Sequence, residues 1–207
     1  METSDVIATI ALTISIGTFV YDMRRTRKLE ITQILRDARI AFRLGVDVME
    51  AWQMLSLVGQ GEPDEIARFR EQVLVKLGTT QALAEQLGIN VELREIIEGG
   101  NHGILLEGHS DPFSQLRGII EVTIPDKRVI AAYEIGTWVN FLNWALRVGQ
   151  LDGDASSEME YYSSLVVDIN NWINELGIDD SFNPELHAPE KVAEEAQRLL
   201  DAVPKWL

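Results

Sequence analysis

Apolar and polar positions divide the chain into one uncharged run and a series of helix-length stretches with mixed faces. The run is Val6–Tyr21, VIATIALTISIGTFVY, which holds no charge, no Pro and one Gly. Asp5 precedes it, and Asp22, Arg24, Arg25, Arg27 and Lys28 follow it. As a helix it spans roughly 24 Å, against a hydrocarbon core of about 30 Å. Tyr21, Met23 and snorkelling arginines can cover the difference. The pattern predicts a transmembrane anchor over residues 6–23. A buried core helix is the competing reading, but such a helix has no reason to end in a cluster of cations. A cleaved leader needs its cations before the apolar run, and this chain has them after it. Cationic flanks stay cytoplasmic. The expected topology is therefore a short outer N-terminus (1–5), one span in the inner membrane and a cytoplasmic C-terminal domain. Arg24, Arg25, Arg27 and Lys28 would then face the bilayer surface.

Residues 24–58 contain no Pro and a single Gly, so the anchor helix is expected to continue into a long amphipathic juxtamembrane helix. Ile31, Leu35, Ala38, Phe42, Gly45, Met49 and Trp52 recur at spacings of 4, 3, 4, 3, 4 and 3, a heptad pattern. It reads either as a face packed on the chain's own domain or as a stalk or self-association seam. Within the apolar run, Thr9, Thr13 and Gly17 recur every four residues, a small-residue face that lets helices approach closely. The helix-interaction set is thus Thr9, Thr13, Gly17, Ile31, Leu35, Phe42, Met49 and Trp52.

Residues 59–207 read as an acidic helical domain. Gly59, Gly61 and Pro63 break the long helix. A second amphipathic helix follows, marked by Ile66, Phe69, Val73 and Leu77 and expected to end at Gly78. Short helices are expected over 80–87 and 91–98. Asp111-Pro112 opens a helix to about Thr123, and residues 126–148 form the longest apolar-rich helix of the body. Ser157 and Glu160 form a capping box for a helix to Leu176, and Pro189 opens the last one. No stretch alternates like a strand, so the fold class is all-α: an N-terminal transmembrane helix, a juxtamembrane helix and a multi-helix bundle. The five Trp residues are expected in the core or at an interface.

Charge sharpens this picture. The 207 residues carry a net charge of −15 and no Cys, which excludes disulfides and thiolate metal sites. Cations dominate only at the start, and the acidic remainder argues against nucleic acid, whose phosphates it would repel.

Three motifs bear on chemistry. Thr80–Gly100 resembles the helix-turn-helix of phage-repressor-type regulators at Leu83, Ala84, Gly88, Ile97 and Glu98. Its second helix, however, carries Glu92, Glu95 and Glu98 against Arg94, which phosphates would not tolerate. His102, Glu107, His109 and Asp111 are four ligand-type side chains in one glycine-rich loop, a candidate metal site of imidazole and carboxylate donors. No spacing among them matches a helical metal motif, and no other cofactor is expected. Val139–Asp152, VNFLNWALRVGQLD, followed by Tyr161, Tyr162 and Leu165, resembles a group of uncharacterised bacterial single-pass membrane proteins. That resemblance implies a span followed by a helical domain, with Asn143 where the group has Glu, and it implies no activity.

The expected function is a membrane-anchored helical interaction or scaffold protein, or an accessory subunit of a membrane complex. Its partners would be the bilayer and either a second copy or another membrane protein. The alternative is a membrane-tethered enzyme or metal-binding protein using the His102–Asp111 loop.

Overall fold

The computed structural model describes residues 3–57, 63–99, 112–147, 156–175 and 188–202 in backbone, and most side chains from Thr18 onward within those ranges. Among the described residues the fold is all-α, with seven helices and no strand: α1 (Thr3–Leu57), α2 (Pro63–Gln86), α3 (Leu93–Gly99), α4 (Pro112–Thr123), α5 (Lys127–Arg147), α6 (Ser156–Glu175) and α7 (Pro189–Ala202). The chain divides into two compact units, residues 1–36 and 37–207.

The first unit is a single helical stretch, the N-terminal part of α1. Its described side chains are largely exposed, including Phe19, Tyr21, Met23, Leu29, Ile31 and Leu35. Here the expected membrane anchor is corrected. Among the described residues no helix is long and apolar enough to cross a membrane. Asp22, Arg24, Arg25, Arg27, Lys28 and Glu30 crowd into nine consecutive positions of α1. The single-pass inner-membrane location, with its outer N-terminus and cytoplasmic domain, falls with the span. The side chains of Thr9, Thr13 and Gly17 lie outside those described.

The second unit is built around α5. Val129, Ile130, Ala131, Ala132, Tyr133, Ile135, Gly136, Thr137, Val139, Leu142 and Ala145 are all buried, so α5 is covered on nearly every side. A helix this apolar all round belongs in a core. Asp126 starts it: one carboxylate oxygen accepts the Arg128 backbone N–H at 2.9 Å, and the guanidinium of Arg128 grips both oxygens. That pairing holds the Asp126 carboxyl below the usual carboxylate range.

The C-terminal half of α1, from Ala38, crosses α5 with Ala38, Ala41, Leu44, Val48, Met49 and Ala51 buried. The crossing is a backbone contact. A Cβ on Gly45 would collide with the carbonyl oxygen of Tyr133, and one on Gly136 with the carbonyl oxygen of Phe42. Asn140 fixes the register by donating from Nδ2 to the Val46 carbonyl at 2.8 Å.

α6 and α7 pack on α5 through Leu165, Val166, Ile169, Ile173, Val192, Ala196 and Leu199. A 14-residue helix is marginal alone, and α7 is held by this apolar face and by one polar network. In it Asn170, almost fully buried, donates to Glu195 at 3.2 Å, and Arg198 donates to Asn170 at 2.9 Å. Phe141 centres an aromatic cluster with Trp138, Trp144, Tyr161 and Tyr162, at centroid separations from 5.9 to 6.4 Å. Trp52, Trp138, Trp144 and Trp172 are half-buried, so the fully buried core is mostly aliphatic, with Tyr133 among its largest side chains.

α2 does not stop at Gly78. A Cβ there would meet nothing within 4 Å, and Leu77, Thr80, Ala84 and Leu87 keep an unbroken buried face through it. A helical Gly costs about 1 kcal/mol relative to Ala, less than that face recovers at roughly 2 kcal/mol per buried Leu. The turn comes at Gly88, whose φ of +78° suits Gly. Gln81 then clamps α3: its Nε2 donates to the Val91 carbonyl at 2.9 Å and its Oε1 accepts the Leu93 N–H at 3.0 Å.

Candidate binding cleft between α4, α5 and α6

The sequence-derived sites separate. His102, Glu107, His109 and Asp111 lie outside the described residues, and among the described ones no group of three or more His, Asp or Glu is placed to hold a metal ion. Arg24, Arg25, Arg27 and Lys28 stand exposed on α1. The heptad splits: Ile31 and Leu35 are exposed, while Phe42 is half-buried, Met49 is buried and Trp52 packs edge-on to Phe113 at 5.5 Å.

A cleft of about 450 Å³ opens in the second unit. Its walls are Phe113, Ser114 and Arg117 of α4, Tyr133, Glu134, Thr137 and Trp138 of α5, and Asp168 and Trp172 of α6. The floor is fixed. Tyr133 is buried and its hydroxyl donates to the Phe113 carbonyl at 3.3 Å. Thr137 donates to the Glu134 carbonyl at 2.7 Å.

Charge in the cleft is unevenly compensated. The Arg117 guanidinium is shared between Glu134 and Glu121, the latter at 2.9 Å, and these partners hold its pKa above the ordinary arginine value. The Glu134 side chain is only 13% exposed. Burial pushes its carboxyl up; Arg117 opposes that, and the nearby Glu175 and Asp168 add to it. Asp168, at the mouth, has no hydrogen-bond or ion-pair partner among the described residues, and partial desolvation raises it. The lining thus sets one cation, Arg117, against two carboxylates, Glu134 and Asp168, beside two indoles.

Sequence reading left Trp138 and Trp172 to the core or an interface and passed over Arg117, Glu134 and Asp168. A signal was present. Glu134-Ile-Gly-Thr-Trp138 and Asp168-Ile-Asn-Asn-Trp172 repeat the order acid, Ile, two residues, Trp. On a helix the acid and the Trp then share a face, with Ile135 and Ile169 turned into the core. Two such units on the adjacent helices α5 and α6 line one cleft.

No family model matches this chain, and neither a curated protein nor a solved structure matches it. The resemblance carried by Val139–Asp152 therefore rests on those residues alone.

Proposed function

We propose that this chain is a helical interaction protein whose cleft receives a basic side chain, arginine above all, from a protein partner. The observation that carries the reading is Asp168, without an ion-pair partner among the described residues, lining one cleft with Trp138 and Trp172. A guanidinium can pair with a carboxylate and lie on an indole at once, which an ammonium does less well. Partial desolvation strengthens both contacts. An anionic ligand would meet a net negative wall. A purely apolar one would cover the Asp168 carboxylate without pairing it.

The test is fluorescence anisotropy of a labelled arginine-rich peptide titrated with the full chain. Saturable binding that weakens with salt is expected, with roughly tenfold loss for Asp168→Asn and for Trp172→Ala. The same peptide carrying lysine for arginine should bind more weakly. Equal affinity of the wild type and Asp168→Asn for the peptide would remove the cleft from the function.

A further inference from the structure

We infer that the occupant of the cleft is the basic stretch of α1 from a second copy of this chain, an inference that rests on the cleft reading above. Charge complementarity favours this occupant. Residues 18–36 carry Arg24, Arg25, Arg27, Lys28 and Arg36 against Asp22 and Glu30, whereas the remainder of the chain holds the large acidic excess that brings the net charge to −15. The cations most concentrated in the sequence, at 24, 25, 27 and 28, are all exposed on a helix. Large apolar side chains flank them, Phe19, Tyr21 and Met23 before and Leu29 and Ile31 after, each at least 42% exposed. Exposed large apolar side chains interleaved with cations are a set that an aromatic, carboxylate-bearing cleft can cover. The cleft offers the matching mixture of aromatic wall and carboxylate.

The heptad register decides between this contact and pairing of two α1 helices. Running the 4, 3 spacing back from Ile31 reaches Lys28 and then Arg24. A helix-on-helix seam through Ile31 and Leu35 would set these cations at core positions against cations. Against Asp168 and Glu134 the same charges are attracted. The contact is heterologous, helix of one copy into cleft of the next, so it builds rings or open chains and not closed two-fold dimers.

Sedimentation of the full chain tests this. In low salt the wild type is expected to associate beyond a dimer. A variant with Arg24, Arg25, Arg27 and Lys28 all changed to Glu has a competent cleft and no donor helix. Asp168→Arg has a donor helix and no cleft. Each alone should sediment as a monomer, with association weakened roughly 100-fold. An equimolar mixture should form one heterodimer and stop there, and that gain proves both variants folded. A mixture that stays monomeric overturns the inference, as does a wild type that stays monomeric in low salt at its highest soluble concentration. If that monomeric wild type still captures the arginine-rich peptide, the cleft reading stands and only the second copy is lost. If it captures no peptide, both are lost.

Discussion

Individual glycines of this chain do opposite things, and the difference is set by what lies opposite each one. At Gly45 and Gly136 a methyl group would strike a backbone carbonyl of the crossing helix. Relief requires the α1–α5 crossing to widen, which strips contacts from Ala41, Leu44 and Val48 at one helix and Ala132 and Ile135 at the other. Gly136→Ala is expected to destabilise by about 3 kcal/mol, the upper range for overpacking. Gly78→Ala, on an open helical face, should stabilise by about 1 kcal/mol. Urea midpoints of the two variants should move in opposite directions. If Gly136→Ala left the midpoint unchanged, the helices would not be in backbone contact there.

Among the elements, the second half of α1 carries a buried charge that its neighbours only partly offset. Asp47 is 6% exposed at its side chain, with Arg43 at 3.0 Å and Lys76 at 3.8 Å, and Lys76 also holds Glu50. Burial raises the Asp47 carboxyl, and the two cations do not cancel it. The folded chain therefore keeps this proton to a higher pH than the unfolded one. Its contribution to stability is complete below the ordinary aspartate range and is lost as pH rises through the raised value. Asp47→Asn should flatten that part of the stability–pH curve and raise stability at neutral pH. Urea unfolding at a series of pH values measures it; an Asn variant with the wild-type slope would acquit Asp47. Helices were the most legible layer of this sequence. Pro63, Pro112 and Pro189 each open one, because a ring-fixed φ and a missing N–H suit the first turn. Gly78 misled because periodicity continued through it. The cleft was hard to see because its residues are ordinary on each helix, and only the packing of α4, α5 and α6 brings Arg117, Glu134 and Asp168 together. The apolar run misled in another way: its length and flanks read as a span, while the charged stretch that follows it on α1 stands exposed.

For the molecule as a whole, charge acts in two senses. A net charge of −15 repels itself within the compact state. Added salt screens that repulsion. The melting temperature should therefore rise from low to moderate ionic strength, while assembly through the basic stretch of α1 falls over the same range. Calorimetry and sedimentation on the same samples would show the opposed trends. A melting temperature that falls with salt would mean that local ion pairs such as Arg117–Glu134 outweigh the global repulsion. The glycine crossing has its own reach across the molecule's possible descendants. A side chain that obstructs can be trimmed by a second substitution, but a carbonyl cannot. No compensating partner exists for a change at Gly45 or Gly136. In a saturation library selected for folding, both positions should remain glycine in every genetic background, while Gly78 and Gly118 drift freely to alanine.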